Sequence, residues 1–209
     1  LVTWGECQPE LEAFGEIKGN AARSRQSSEF YFRPGLTWTL RTQSGFGMRA
    51  MPAGCIFGHK GPAAFTDGDS PDMLLALLAI TTSTVFCYLV ELQMAFGSYE
   101  VGVIQRTPIP ALSDTAELAS LARRAWSLKR QLDTTSETSH AFLLPPGLNE
   151  RVTGRSRSVI EREFAEIQRE IDDRAFELYS LGPEDRAAIE QGPTGSPGNP
   201  TIEQPQDEE

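Results

Sequence analysis

The sequence predicts an α+β fold, with a small β-rich domain that contains a buried apolar helix, an antiparallel pair of long helices and a disordered acidic tail. Three features of the sequence predict it. Apolar and polar residues alternate between residues 29 and 65, as in half-buried strands. An uncharged apolar run covers residues 73–90, and two later stretches carry apolar residues at helical spacing. The 209 residues suffice for one medium domain with appendages.

The first structured region is predicted to be a set of short strands. Its alternating apolar residues are Phe30, Phe32, Leu36, Trp38 and Leu40. A turn at Ser44–Gly47 is predicted to precede an extended Met48–Met51 segment, and Gly54–Phe57 is predicted to be a further strand before a glycine-rich loop. Farther along, Tyr99–Arg106 alternates Val and Ile residues and is also predicted to be a strand.

The apolar run is predicted to be a helix over Asp69–Glu91, capped by Ser70 or Asp69 and with Pro71 in its first turn. The Thr81–Thr84 stretch in its middle predicts a break or an end there. The uncharged run is at the lower length limit for a membrane span, but its flanks are acidic and lack a basic cluster. We therefore expect a buried helix and no membrane association.

Two amphipathic helices are predicted next, over Ser113–Asp133 and Ser156–Leu181, joined by a loop over Thr134–Gly154. A short helix over Pro183–Gln191 follows, and Pro, Gly, Gln and Glu dominate thereafter, which predicts disorder. The predicted division is as follows: 1–28, the end of an upstream element or linker; 29–112, the α+β domain; 113–191, a helical spacer and docking region; 192–209, the acidic tail.

The charge of the chain is unevenly distributed. The net charge is −10, which by itself argues against nucleic-acid binding. Residues 20–65, however, hold six basic residues and one acidic residue, Glu29, a local charge of +5. Arginines there alternate with aromatic residues, a composition that suits phosphate and base contacts but equally an exposed sheet with solvated arginines. The pair His59-Lys60 lies in the glycine-rich loop, where a phosphate contact or a structural role is expected.

The residues of common catalytic and metal sites are not combined in this sequence. Its three cysteines, Cys7, Cys55 and Cys87, form no CxxC pair, so free thiols in a reducing cytoplasm are expected. No catalytic triad is evident, and the acidic residues near Asp69 are better explained as charges at a helix N-terminus than as metal ligands. We expect no catalytic and no metal site in this chain.

The run FYFRPGLTWTLRTQSGFGMRAMPAGCIFGHKGPAAF resembles the start of the target-recognition region of large adenine-specific DNA methyltransferases. These are the type IIG restriction–modification fusions and the related phage-exclusion enzymes of BREX and DISARM systems. Similar blocks follow in the same order at Leu74–Leu78, Gly102–Pro110 and Ile171–Leu181, where Ser180 replaces a frequent Gly. The resemblance covers roughly residues 29–190.

The resemblance implies a role in DNA target recognition within a site-specific N6-adenine methyltransferase of a restriction–modification or phage-defence system. The implied partners are double-stranded DNA and a methyltransferase catalytic domain or subunit. The glycine-rich cofactor loop and the Asn/Asp-Pro-Pro-Tyr/Phe tetrapeptide are missing here, so S-adenosylmethionine is expected in the full enzyme and not in this chain. The candidate DNA-binding residues are Arg33, Arg41, Arg49, His59, Lys60 and Arg106.

Two other interpretations stay open. Apolar helical stripes, an acidic tail and the negative net charge would suit a non-catalytic protein-interaction module of a defence complex. The other interpretation is a methyltransferase with an unrecognised site of its own, and failure to bind S-adenosylmethionine would exclude that interpretation. Because the chain begins with Leu1 and lacks the catalytic motifs, we expect a fragment or a split subunit of a cytoplasmic enzyme.

Overall fold

The computed structural model describes residue 13 and residues 27–42, 44–94, 97–112 and 115–192. The strands in these ranges are β1 (Gly35–Trp38), β2 (Met48–Met51) and β3 (Ala63–Ala64). The α-helices are α1 (Pro71–Thr81), α2 (Thr84–Gln93), α3 (Val101–Arg106), α4 (Thr115–Asp133), α5 (Pro146–Thr153), α6 (Arg157–Leu178) and α7 (Pro183–Glu190). The predicted Ser113 cap, the predicted linker before residue 27 and the predicted tail beyond Gly192 lie outside the described residues.

The α+β fold class is confirmed, because a small sheet precedes a set of packed helices. The sheet is antiparallel with the order β2-β1-β3. Directly paired residues share a face, so Leu36 and Trp38 of β1 lie on the same side as Met48 of β2. All three are buried against α1 and α2. A Cβ atom at Gly35 would lie 2.7 Å from the Ala64 carbonyl oxygen, so the close approach of β1 and β3 requires glycine.

Two predicted parts of the β region are wrong. The strand expected from Phe30 begins only at Gly35, because residues 28–30 form a 3₁₀ turn and Phe32 has a φ of 68°. Gly54–Phe57 is not a strand either. Gly54 has a φ of 87°, and the Gly54 N–H and the Cys55 carbonyl pair with the backbone of Phe32 instead of the sheet. Instead of Gly54–Phe57, strand β3 pairs with β1 on the side away from β2.

The strand predicted over Tyr99–Arg106 is wrong, because Val101–Arg106 forms helix α3. Tyr99, Val103 and Thr107 are all buried and lie four residues apart, which is the spacing of one helical face. The Thr107 hydroxyl donates to the Val103 carbonyl at 2.9 Å and closes the last turn. The six residues of this helix, VGVIQR, are too few for their Val and Ile residues to distinguish a helical period from that of a strand.

The predicted break in the apolar run is confirmed. Helix α1 starts with Pro71 after the Ser70 cap, whose hydroxyl accepts from the Met73 N–H, and α2 starts after the Ser83 cap. The two helices are bent by 67°. Within the described ranges, no individual helix combines the length and apolar character that crossing a bilayer requires; the α1–α2 pair meets that test only when its bent halves are joined.

Helices α4 and α6 pack as the predicted antiparallel pair. Their direction follows from two contacts at opposite ends: Arg174 pairs with Glu117 at 3.1 Å, whereas Arg155 donates to Gln131 at 3.2 Å. The buried residues on their facing stripes are Leu118, Leu121, Leu128, Leu132, Ile160, Ile167 and Ile171. Helix α1 contributes to this core and to the core under the sheet, so the predicted domain boundary at residue 112 stays a prediction.

The connection between α4 and α6 is not only a loop, because it contains helix α5. Pro146 occupies the first turn, where its fixed φ suits a helix, and Gly154 ends the helix with a φ of 70°. Because Thr134–Gly154 is rich in Pro, Gly, Thr and Ser, its composition indicated a loop and gave no sign of this short helix. The predicted helix at the C-terminal side of α6 is confirmed as α7.

A long-range contact fixes the start of α2. The Thr84 N–H, one of the amides that a helix N-terminus leaves without an intrahelical partner, donates to the Asp172 carboxylate of α6 at 2.7 Å. Burial raises the pKa of the Asp172 carboxyl above its ordinary value, although hydrogen bonds from Thr84 and Gln168 oppose the shift. The charged form is therefore less favourable in the folded chain than in the unfolded chain.

We expect Asp172→Ala to lower the free energy of unfolding by about 1 kcal/mol, the usual cost of a lost cap. Asp172→Asn keeps an acceptor oxygen and should cost less. A carboxyl group whose pKa is higher in the folded than in the unfolded chain stabilises the folded chain at pH values below the unfolded pKa. This stabilisation is lost as the pH rises through the folded pKa. Urea unfolding between about pH 3 and pH 7 should therefore show Asp172→Asn gaining stability relative to wild type as the pH rises. A pH-independent difference would contradict this.

Candidate nucleic-acid interface

Four of the six predicted DNA-binding residues lie around the C-terminal end of β1. The Leu40 N–H donates to the Lys60 carbonyl at 3.1 Å, and the Trp38 N–H donates to the Pro62 carbonyl at 3.4 Å. These bonds hold the His59-Lys60 turn beside the chain that carries Arg41. The group of Arg41, Arg49, His59 and Lys60 is called the basic cluster below.

The His59-Lys60 pair forms the tip of a tight turn. Gly58 and Gly61 exchange two backbone hydrogen bonds, at 3.0 and 3.4 Å, so the two residues between them project from the surface. Both side chains are exposed. A turn of this kind positions a cation and an imidazole without burying either group, which suits contact with a groove or with phosphates.

The two arginines of the basic cluster are anchored by neutral hydroxyl groups. Arg41 Nε donates to Ser98 Oγ at 2.7 Å, and Arg49 Nη1 donates to Thr39 Oγ1 at 3.1 Å. Neither guanidinium forms an ion pair with a carboxylate of the described residues, and both side chains are exposed. The described residues therefore restrict the orientation of the two side chains without neutralising their positive charge.

Arg33 lies at the opposite end of β1 in a different environment. Its guanidinium forms an ion pair with Asp69, with the nearest N–O distance at 2.6 Å, and donates to the Thr66 carbonyl at 3.0 Å. It also lies over the rings of Phe30 and Phe65, at 5.3 and 5.4 Å from the ring centroids. Asp69 raises the pKa of the guanidinium. These contacts give Arg33 a structural role in holding the loop, and a DNA contact by it stays a prediction.

Arg106 is also separate from the basic cluster. It is the last residue of α3 and its side chain is exposed. Its Nη1 atom folds back toward Gly102, where a Cβ atom would lie 3.5 Å away. No contact of the described residues joins it to Arg41 or Lys60, so its inclusion in a common surface stays a prediction.

A groove that the sequence did not predict lies between β2 and α4. It has a volume of about 570 Å³, and Arg49, Trp126, Lys129 and His140 are among the residues that line it. Trp126 is 47% exposed, and the Arg130 guanidinium lies 5.3 Å from the centroid of its indole. The sequence did contain a signal for an exposed aromatic side chain here, because Trp126 falls outside the apolar stripe of its helix. This surface is called the β2–α4 groove below.

The described residues offer binding groups and no evident nucleophile. Partial burial of the Cys87 thiol raises its pKa to about 12, so the thiol is protonated at neutral pH. Cys55 is also a free thiol. Within the described ranges, no three His, Cys, Asp or Glu side chains are grouped as metal ligands would be.

Two curated proteins share significant sequence similarity with the chain. It is 28% identical over 127 residues to the adenine-specific methyltransferase BrxX of Escherichia coli O9:H4 (strain HS), an alignment that covers 61% of this chain and 10% of that protein. It is 24% identical over 179 residues to the adenine-specific methyltransferase PglX of Lacticaseibacillus casei (strain Zhang), covering 85% of this chain and 15% of that protein. No family model matches the chain. The chain is thus related to adenine-specific methyltransferases, although the similar region is a small part of each relative.

Proposed function

We propose that this chain is the DNA target-recognition part of a site-specific N6-adenine methyltransferase of a phage-defence or restriction–modification system. The observation that carries the proposal is the exposed basic cluster within a chain similar to two adenine-specific methyltransferases. The net charge of −10 does not oppose it, because only the local charge at a contact surface has to be positive.

The chemistry of the basic cluster supports contact with duplex DNA. An arginine guanidinium donates in a fork that matches the O6 and N7 atoms of guanine or a phosphate, and a lysine supplies a point charge for phosphate. Arg41 and Arg49 are oriented by hydroxyl groups on one side, so their remaining donors are available for such a contact. The turn that carries His59 and Lys60 extends the same surface.

In this proposal, recognition and catalysis belong to different parts of the enzyme. Methyl transfer to adenine requires the base to leave the helix and enter a pocket that also holds S-adenosylmethionine. That pocket belongs to a catalytic domain or subunit outside this chain. The role of the present chain is to bind the duplex and to set the position at which the adenine is presented.

The proposal is tested by titrating the chain against a fluorescently labelled duplex and following anisotropy at several salt concentrations. If Arg41, Arg49 and Lys60, the cationic members of the basic cluster, each contact a phosphate, the slope of log K against log salt should be roughly −2.7, about −0.9 for each contact. We expect binding at low salt with a slope of this order. Absence of binding at low salt, or a slope near zero, would overturn the proposal.

A second function, docking to another protein, is favoured by an exposed apolar segment. Phe142, Leu143, Leu148 and Val152 are exposed by 36, 73, 49 and 75% respectively, and all lie in or just before α5. Leu148 and Val152 are four residues apart and so share a helical face. If this is the main function, Leu148→Asp with Val152→Asp should abolish association with a methyltransferase catalytic polypeptide. A chain that binds this polypeptide but no duplex would favour the second function.

A further inference from the structure

The β2–α4 groove has the form of a binding channel for an extended chain segment. Strand β2 is at the edge of the sheet, so one wall of the groove is an open strand. Small residues such as Ala79 and Ala122 line the floor and leave room above them. A second cavity of about 380 Å³ continues along β2 and shares Ala50 and Trp126 with the groove.

The walls of this channel are suited to an acidic segment with proline or other apolar residues. Lys129 and Arg49 line the groove, and Arg130 lines the adjoining cavity. The carboxylates among these lining residues are Asp133 in the groove and Asp69 in the adjoining cavity, and they are paired with Lys129 at 3.2 Å and with Arg33 at 2.6 Å respectively. Trp126 supplies an exposed aromatic surface between the two cavities, and proline-containing segments bind along such aromatic surfaces.

We propose that residues 193–209 of this chain bind in the β2–α4 groove. Their sequence, PTGSPGNPTIEQPQDEE, contains four prolines and four carboxylates and no basic residue. The charge and composition of this segment therefore complement the walls. This inference does not depend on the proposed function, because it concerns a contact within the chain.

The position of Gly192 supports the proposal. Gly192, the last described residue, lines a cavity together with Thr82 and Gln168, and both of these residues also line the β2–α4 groove. A chain that continues from Gly192 therefore starts beside one end of the groove. Seventeen extended residues span on the order of 55–60 Å, whereas Trp126 to Asp133 extends over only about 10 Å of helix. The segment is therefore long enough to reach from Gly192 along the whole groove.

Attachment to the same chain strengthens this contact. A short connection within one chain gives the segment an effective concentration near 1 mM, so a dissociation constant near 0.1 mM is enough for about tenfold excess of the bound form. Because Arg49 lines the groove and also belongs to the basic cluster, the bound segment competes with DNA for this residue. The acidic segment then lowers the affinity of the chain for duplex DNA.

The test compares the full chain with a full chain in which the segment is neutral, carrying Glu203→Gln, Asp207→Asn, Glu208→Gln and Glu209→Gln. The probe is a fluorescently labelled synthetic peptide with the sequence of residues 193–209. We expect the peptide to bind the neutral-segment chain about tenfold more tightly than the wild-type chain, because the wild-type groove is already occupied. Equal binding by the two chains would overturn the proposal.

The site of binding is tested with three further substitutions in the neutral-segment chain. Trp126→Ala and Lys129→Ala should each weaken peptide binding, whereas Arg169→Ala, which removes an exposed cation elsewhere on α6, should not. Equal effects of Lys129→Ala and Arg169→Ala would overturn the assignment to the groove. Concentration-dependent dimers in light scattering that the neutral segment abolishes would overturn the intramolecular contact in favour of a second copy of the chain.

A last measurement relates the contact to DNA. The neutral-segment chain should bind the labelled duplex more tightly than wild type at low salt, and the difference should decrease as salt screens the charges. This part rests on the proposed function. The peptide assay contains no DNA, so failure of the proposed function leaves it unaffected, and loss of peptide binding overturns the groove inference alone.

Discussion

Phe86→Ala is expected to lower the free energy of unfolding by about 3–5 kcal/mol, the cost of removing a large aromatic side chain from a packed core. Phe86 is fully buried in α2, and its ring centroid lies 5.9 Å from that of Phe46. It contributes to the core that joins the sheet to α1 and α2. The cavity left by alanine would weaken the support of β1 and therefore of the basic cluster. Urea unfolding monitored by circular dichroism measures the change.

Leu92→Ala is the matched control for this substitution. Leu92 lies in the same helix, but its side chain is 57% exposed, so its truncation removes little buried surface. We expect its effect to stay within about 0.5 kcal/mol, the range of ordinary surface substitutions. If the two variants lose similar stability, Phe86 does not have the packing role described above.

The double substitution Arg41→Ala with Lys60→Ala is expected to weaken duplex binding by roughly 10- to 100-fold at low salt. The two residues are held near each other by the hydrogen bond between the Leu40 N–H and the Lys60 carbonyl, which involves backbone atoms and survives both substitutions. Loss of two phosphate contacts should also make the slope of log K against log salt shallower by about 1.8. Anisotropy titrations at several salt concentrations measure both quantities.

Arg162→Ala with Arg169→Ala is the control for charge. Both residues are exposed on α6, so the control removes the same two charges without affecting the basic cluster. We expect its affinity and its salt dependence to be close to those of the wild-type chain. If the two double variants lose equal affinity for duplex DNA, binding depends only on the net charge, and the basic cluster is not the contact surface.

The sequence alone determined the elements whose signal is local and long. The stripes of α4 and α6 repeat over 19 and 22 residues, so the helical period is unambiguous. The break between α1 and α2 was also predictable, because Ser83 has a hydroxyl that can cap the next helix. Short elements such as α3 were not predictable, since six residues contain fewer than two helical turns.

The candidate site was predictable in composition but not in arrangement. Six candidate DNA-binding residues could be named from the sequence. Nothing in it indicates that Asp69 pairs with Arg33, 36 residues away, while Arg41 donates to the Ser98 hydroxyl and pairs with no carboxylate of the described residues. The β2–α4 groove likewise depends on a strand and a helix that are distant in the chain.

Local periodicity and capping are properties of neighbouring residues, so the sequence of this protein determines them directly. Which charges are neutralised and which stay exposed depends on contacts between distant segments. Such contacts are set by how the sheet packs on α1 and α2 and how α4 packs on α6, so only the tertiary structure decided that Arg41, Arg49, His59 and Lys60 gather at one end of β1.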